Sequence, residues 1–220
     1  RLVFDEILSS FLINSKIRKS VKKLKKTKKK FSSNNIKHIT NKIDFELTKD
    51  QLKAINEIND DLRSGQKMFR LLQGDVGSGK TIVALTSILN VINSKFQVAF
   101  MAPTEILAQQ HYNLAKSLLP DNVKIDILTS KTDNKIRKKI INDLENHQID
   151  LLIGTHSLFQ NKINYRKLGL IIIDEQHKFG VKQRKKLSDK GGKNCDILVM
   201  SATPIPVSYT HLRAHETYPH

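Results

Sequence analysis

The chain has 220 residues, 39% of them hydrophobic, which is enough for one sizeable core with an appendage. Lysine and arginine outnumber the acids by 38 to 21, and the formal charge of +17 favours nucleic acid as a partner, with AT-rich coding as an alternative source of part of the excess. A single cysteine, Cys195, excludes an internal disulfide and indicates a reducing, cytoplasmic setting in which it is buried, and no apolar run predicts a membrane span or signal peptide.

The first 44 residues predict a helical, lysine-rich connector that precedes the main domain. Residues 1–14 carry apolar side chains at the spacing of an amphipathic helix, and residues 16–30 then carry lysines and arginines without an acid. Such a block is either a solvated arm or a surface that rests on phosphates, and the sequence leaves both open. Residues 32–41 predict a polar linker, which places the domain boundary near Asp44. Because the chain begins at Arg1, we interpret it as a piece of a longer protein.

Between residues 45 and 206, short apolar runs alternate with helical patterns, which predicts an α/β domain. Continuous β-branched runs such as 170–173 are typical of strands buried on both faces, so we expect a parallel sheet with helices on both of its faces. The predicted strands are 69–73, 98–102, 124–128, 151–154, 170–174 and 197–201, and the predicted helices are 49–64, 80–92, 105–118, 135–146 and 181–189.

Residues 74–81 form a G-x-x-x-x-G-K-[ST] pattern between a predicted strand and a predicted helix, the context in which this pattern binds nucleotide phosphates. Gly74 and Gly79 would let the backbone turn tightly and approach a polyphosphate at the helix N-terminus. Lys80 would reach the β- and γ-phosphates of ATP, and the Thr81 hydroxyl would hold Mg²⁺. The predicted nucleotide-binding loop consists of Gly74, Asp75, Val76, Gly77, Ser78, Gly79, Lys80 and Thr81.

Two adjacent acids, Asp174 and Glu175, follow a buried strand at the edge where open α/β sheets bind ligands. Asp174 would coordinate Mg²⁺, while Glu175 would orient and deprotonate the attacking water. Two solvated acids at a strand end are the alternative, and the loop upstream favours the catalytic interpretation. The sequence therefore predicts Lys80, Asp174 and Glu175 as the catalytic residues of an ATP hydrolase.

Six motifs carry a wider resemblance: LTKDQ at 47–51, LLQGDVGSGKT at 71–81, APTEILAQQH at 102–111, GTHSLF at 154–159, DEQHKFGV at 174–181 and SATPIP at 201–206. Together they resemble the helicases of superfamily 2, and within them the RecG-type branch-migration helicases. Mfd-type transcription-repair coupling translocases show patterns like GDVGYGKT and DEEHRFGV, so Ser78 and Gln176 favour the RecG type. The resemblance implies a RecA-like lobe of P-loop NTPase fold that couples ATP hydrolysis to branch migration and fork remodelling of DNA in recombination and repair.

The resemblance also implies roles outside the ATP chemistry. Gln51 would read the adenine edge, with a capping box formed with Thr48 as the alternative. Residues that follow other strands would line a DNA track or couple it to the nucleotide site, with simple helix capping as the alternative for Thr104. These residues are Pro103, Thr104, Gly154, Thr155, His156, His177, Ser201, Ala202 and Thr203.

Members of this family extend beyond the limits of the sequence. The resemblance implies a second RecA-like lobe that supplies arginines to the ATP site and an OB-type wedge that grips branched DNA. We therefore expect these 220 residues alone to bind nucleotide weakly and hydrolyse it poorly, so a nucleotide-gated DNA-binding module without turnover is the main alternative function. A small-molecule kinase fits the motifs less well. Residues 207–220 are interpreted as a foreign or disordered tail, with a histidine-rich metal-binding segment as the alternative.

Overall fold

Six parallel strands form one sheet in the computed structural model, which describes residues 25–32, 35–159, 163–174, 192 and 194–202. The strands are β1 (Phe69–Gln73), β2 (Gln97–Met101), β3 (Ile125–Leu128), β4 (Leu151–Gly154), β5 (Leu168–Asp174) and β6 (Asp196–Ser201). Their spatial order is β1-β6-β5-β2-β4-β3, and each of these pairings is parallel. The predicted parallel α/β sheet is confirmed, with each predicted strand end within two residues of the observed one.

Helices connect the strands and begin close to the predicted positions. They are α1 (Asn35–Thr40), α2 (Lys49–Arg63), α3 (Lys80–Asn93), α4 (Glu105–Leu118) and α5 (Asn134–Glu145). The linker predicted at 32–41 is wrong in part, because α1 lies there and buries Ile39 against the main core. The predicted helices at 1–14 and 181–189 and the tail at 207–220 lie outside the described residues. None of the described helices is long and apolar enough to cross a bilayer.

The core has two layers, one on each face of the sheet. On β5, Ile172 packs into a cluster with Leu85 of α3, whereas its neighbour Ile171 packs on the opposite face with Ile140 and Leu144 of α5. Successive strand side chains point to opposite faces, which is why β5 is apolar on both faces up to Asp174, and all seven of its residues are buried. Helices on both faces are therefore confirmed, and Cys195 is buried as predicted, which raises the pKa of its thiol to about 12.

The order of the strands places β6 between β1 and β5. In register, Gln73 at the end of β1 pairs with Ser201 at the end of β6, and Asp174 at the end of β5 pairs with Met200. Neighbouring strands lie about 4.8 Å apart, so the ends of β1 and β5 are about 10 Å from each other across β6. Since all the strands run in one direction, their carboxyl ends share one edge of the sheet.

Residues 25–30, the described part of the basic block and here called the basic segment, dock on the sheet through two buried lysines. Lys26 Nζ and Lys29 Nζ each lie 2.6 Å from Oδ2 of Asp196, and all three side chains are fully inaccessible to solvent. Asp196 begins β6, so this cluster lies at the amino end of the sheet, opposite the edge formed by the carboxyl ends. For these two lysines neither expectation for the basic block holds, because they are neither solvated nor available to a phosphate. The neighbouring Lys28 is exposed.

The Asp196 carboxylate has a further partner besides the two lysines. Its Oδ1 accepts a hydrogen bond of 2.7 Å from the backbone N–H of Met68, while Lys29 Nζ also donates to the carbonyl of Asn194 at 3.2 Å. Burial lowers the pKa of Lys26 despite the attraction of Asp196, because removal from water disfavours the ammonium form. The carboxylate is therefore the counter-charge that keeps the basic segment attached to the sheet.

Replacement of Asp196 by asparagine (Asp196→Asn) is expected to lower the free energy of unfolding by about 3 kcal/mol, because it leaves two buried ammonium groups without a counter-charge. Urea denaturation measures this directly. The exposed Asp121 offers a matched control, and Asp121→Asn is expected to change stability by less than about 0.5 kcal/mol. Similar decreases in the free energy of unfolding of the two variants would show that the lysine–aspartate cluster does not hold residues 25–30 on the sheet.

Candidate nucleotide and nucleic-acid sites

The carboxyl edge of the sheet gathers the predicted motifs into two neighbouring groups. The ends of β1, β6 and β5 carry the 74–81 loop, Ser201 and Asp174, respectively. The ends of β2, β4 and β3 carry the segments that follow Met101, Gly154 and Leu128. The first group contains the predicted nucleotide residues, and the second contains most of the predicted DNA residues.

The 74–81 loop turns through two left-handed glycines before α3 begins. Gly77 has a φ of +81° and Gly79 has a φ of +78°, a region that side-chain-bearing residues rarely adopt. The segment 75–78 is exposed, and Val76 has an exposed fraction of 88%. Gly79 is the N-cap of α3 and provides no side-chain cap, so the first N–H groups of the helix are left for another acceptor. Loop and helix together form the anion-binding geometry that the motif predicts.

Lys80 is held over the loop by backbone oxygens. Its Nζ donates to the carbonyls of Gly74 at 2.6 Å and Asp75 at 2.7 Å, and lies 3.5 Å from Oγ of Ser78. These contacts fix the ammonium charge beside the exposed N–H groups of the turn. Thr81 follows as the second residue of α3 and is half-buried, with its position set by the same helix.

Gln51 links α2 to the loop. Its Oε1 accepts from the backbone N–H of Thr48 at 2.8 Å, and the Thr48 hydroxyl accepts from the N–H of Gln51 at 3.2 Å, so the capping box is present. Its Nε2 donates to the carbonyl of Ser78 at 2.9 Å. The side chain thus caps one helix and contacts the nucleotide loop at the same time, while its reading of adenine stays a prediction.

Ser201 and Gly74 join β6 to the loop. The N–H of Gly74 donates to the carbonyl of Ser201 at 3.3 Å, which continues the β1–β6 pairing into the first residue of the loop. Ser201 is buried and Ala202 is half-buried. The end of β6 is therefore in direct contact with the start of the loop.

Asp174 is buried and has a partner that the sequence interpretation missed. Its Oδ2 lies 2.8 Å from Nε2 of His111, a residue of α4. The exposed fractions of the two side chains are 12% and 10%, so this pair is largely shielded from water. His111 ends the APTEILAQQH motif and shares the buried face of α4 with Ala108 and Ala115, which is the signal that could have identified it. Other predicted residues lie outside the described part of the chain: Glu175, His177 and Thr203.

The second group of strand ends surrounds a groove of about 750 Å³, here called the strand-end groove. It brings together four of the predicted DNA residues, Pro103, Thr104, Thr155 and His156. Sequence reasoning missed the side of the groove that follows β3 and opens α5, which contributes Ser130, Thr132, Asn134 and Arg137. The described lining of the groove is rich in hydroxyl groups and includes the Asn134 amide and the Arg137 guanidinium group, a combination suited to phosphate oxygens.

Arg137 is oriented towards this edge by the backbone of the preceding loop. Its guanidinium donates to the carbonyl of Thr129 at 2.9 Å, just after the end of β3. Thr104 is the N-cap of α4 and its hydroxyl accepts from the N–H of Leu107 at 3.2 Å, so the capping role weighed for it is present. Gly154 does not line the groove, because it is buried within the sheet. A Cβ there would collide with the carbonyl of Leu128 on β3.

One acid lies at the rim of the groove. Glu105 accepts a hydrogen bond from the Ser130 hydroxyl and lies 3.3 Å from Nζ of Lys131. The Ser130 hydrogen bond and the Lys131 ammonium hold the pKa of Glu105 below its usual value, so the carboxylate is charged at neutral pH. The adjacent lysine offsets that charge at the surface.

The two left-handed glycines provide a matched test of the loop geometry. Alanine at either position is strained by about 1–2 kcal/mol, but only at Gly79 would the new Cβ collide with Nε2 of Gln51. Gly79→Ala is therefore expected to destabilise the protein more than Gly77→Ala, as measured by urea denaturation. The difference should shrink when Gln51 is also replaced by alanine. Equal decreases in the free energy of unfolding for Gly77→Ala and Gly79→Ala, with and without Gln51, would mean that Gln51 does not collide with a side chain at position 79.

Comparisons with known proteins agree with this arrangement. A family model described as DEAD/DEAH box helicase matches residues 48–210. The ATP-dependent DNA helicase RecG of Borreliella burgdorferi is 47% identical over 87% of this chain, which spans 28% of that protein's length. RecG of Thermotoga maritima is 46% identical over 94% of this chain, which spans 27% of its length. A structure of RecG bound to a three-way DNA junction matches 94% of this chain and 28% of its own, with 42% identity and a TM-score of 0.79. Since the family model covers most of the sequence, this chain belongs to the DEAD/DEAH box helicase family.

Proposed function

We propose that this chain is the first motor lobe of an ATP-dependent DNA helicase of the RecG type, which hydrolyses ATP to drive rearrangement of branched DNA. The observation that carries the proposal is the convergence of the 74–81 loop and Asp174 on either side of β6, next to the strand-end groove. A phosphate-binding loop and a buried carboxylate at one sheet edge are the elements that ATP hydrolysis requires. The relatives named RecG support DNA as the substrate.

The residues present fit a nucleoside triphosphate with Mg²⁺. The uncapped N-terminus of α3 and the ammonium of Lys80 offer donors and positive charge, whereas Asp174 offers an oxygen ligand two strands away. Thr81 and Asp174 would hold the metal, and Gln51 would read the adenine edge. Bound Mg²⁺ neutralises charge on the phosphate oxygens. Glu175 is assigned to orient the attacking water and accept its proton.

The strand-end groove is the proposed DNA track. Thr104, Thr155 and Arg137 would contact the phosphates of one strand, since hydroxyls and guanidinium groups bind them without reading bases. Pro103 and His156 line the same groove. Ser201 and Ala202, with Thr203 and His177, would couple the two sites, because the end of β6 contacts the nucleotide loop.

The chain spans little more than a quarter of the RecG relatives, so the whole activity is assigned to the complete protein. In such motors a second lobe completes the ATP site with arginines, which contribute on the order of 10³–10⁵ in rate. We expect this lobe alone to bind nucleotide weakly and to turn it over poorly.

Lys80→Ala tests the nucleotide site. Loss of a charge-assisted contact with the phosphates is expected to weaken binding of a fluorescent ATP analogue at least about tenfold. Lys124→Ala removes the same charge from an exposed site at the amino edge of the sheet and should leave binding unchanged. Phosphate release by the complete protein, with and without forked DNA, then separates a motor from a DNA-binding module without turnover. A wild-type protein that binds no nucleotide would refute the proposal.

Arg137→Gln tests the DNA track. The substitution removes one phosphate contact, so it should weaken binding to different DNA sequences alike and reduce the slope of log K against log salt by about 0.7–0.9. Lys138→Gln makes the same charge change on the adjacent, exposed residue of α5, which does not line the groove. Equal slopes for Arg137→Gln and Lys138→Gln would place the DNA elsewhere.

A further inference from the structure

We propose that His111 is a positioning residue that fixes the Asp174 carboxylate and ties it, through α4, to the strand-end groove. This inference rests on the proposed function, because it assigns to His111 a part in the magnesium-dependent step and in its response to DNA. The residue belongs to neither of the site groups predicted from the sequence. Two contacts of the imidazole and its position on α4 support this role.

The first is the hydrogen bond to the carboxylate. An ionised Asp174 only accepts hydrogen bonds, so Nε2 of His111 carries the proton and donates it to Oδ2 at 2.8 Å. The contact is largely buried, where a hydrogen bond to a charged group is stronger than at the surface. One oxygen is thereby fixed, and with it the plane in which the other oxygen can meet a metal or its bound water.

The second contact fixes the imidazole itself. The ring stacks on Phe100 of β2 with centroids 4.5 Å apart and an angle of 27° between the planes. Phe100 pairs in register with Ile172 of β5, two residues before Asp174. The histidine is therefore held by the strand next to the one that carries its partner, which leaves the donor little freedom to turn away.

The third observation is the position of His111 on α4. Thr104 caps α4 at the groove, and His111 follows seven residues later, or about 10 Å along a helix. Less than two helical turns join a residue that lines the proposed DNA track to the residue that holds the proposed metal ligand. A helix moves as a rigid unit over this length, so DNA that shifts the start of α4 shifts the donor on Asp174 as well.

Magnesium dependence separates this role from simple core packing. In the intact protein, binding of a non-hydrolysable fluorescent ATP analogue is measured at increasing Mg²⁺ concentration, without DNA and with a synthetic three-way junction. His111→Ala is expected to raise the Mg²⁺ concentration for half-maximal binding about tenfold, as loss of a hydrogen bond to a charged group implies. Binding without Mg²⁺ should not change. We expect the junction to lower the Mg²⁺ requirement of the wild type and to leave that of His111→Ala unchanged.

Two polar variants keep the test valid if the alanine variant is unstable. His111→Gln places an amide near the position of Nε2 and should restore the Mg²⁺ requirement to within about threefold of the wild type, because it keeps a donor for Oδ2. His111→Asn has the same chemistry but is too short, and should behave like alanine. Asn113→Ala, on the exposed face of α4, is the control for changes to the helix.

The outcomes distinguish the two proposals. A wild-type protein without magnesium-dependent nucleotide binding would overturn the proposed function. A wild-type protein that shows such binding, together with glutamine and asparagine variants that share its Mg²⁺ requirement, would overturn the role of His111 alone. Loss of stability with unchanged Mg²⁺ dependence would reduce His111 to a packing residue.

Discussion

The parallel direction of all six strands is the constraint on which the rest of the structure depends. It sends every strand end to one edge, so residues far apart in the sequence meet there without long loops. The insertion of β6 between β1 and β5 then sets the distance between the nucleotide loop and Asp174, and leaves the β2–β4–β3 half for a second ligand. The proposed nucleotide site and the proposed DNA track therefore share one edge of one sheet.

The sequence predicted local features well because their causes are local. Strand β5 is apolar up to Asp174, and α2 and α4 begin at threonine caps, so their positions follow from composition and spacing. The nucleotide loop is encoded within eight consecutive residues. Helix α1 was missed because it is short and polar, and it depends on contacts with distant residues, such as the burial of Ile39 in the main core.

Features that depend on strand order could not be read from the chain. No local pattern indicates that His111 contacts Asp174 or that Arg137 and Thr155 line the same groove, since both follow from which strands are neighbours. The same applies to the basic segment, where charge density suggested an exposed surface. Lys26 and Lys29 are instead buried, because the carboxylate of Asp196, 170 positions after Lys26, pairs with both of them.

The shared carboxylate also decides where this chain can be divided. The apparent boundary near Asp44 separates a polar, basic stretch from the α/β domain, yet a cut there would remove both ammonium groups from Asp196. The carboxylate at the start of β6 would then lose both counter-charges and keep the hydrogen bond from the N–H of Met68. An autonomous form of the α/β domain must accordingly include Lys26 and Lys29, so that residues 25–30 belong to the domain physically even though their composition sets them apart.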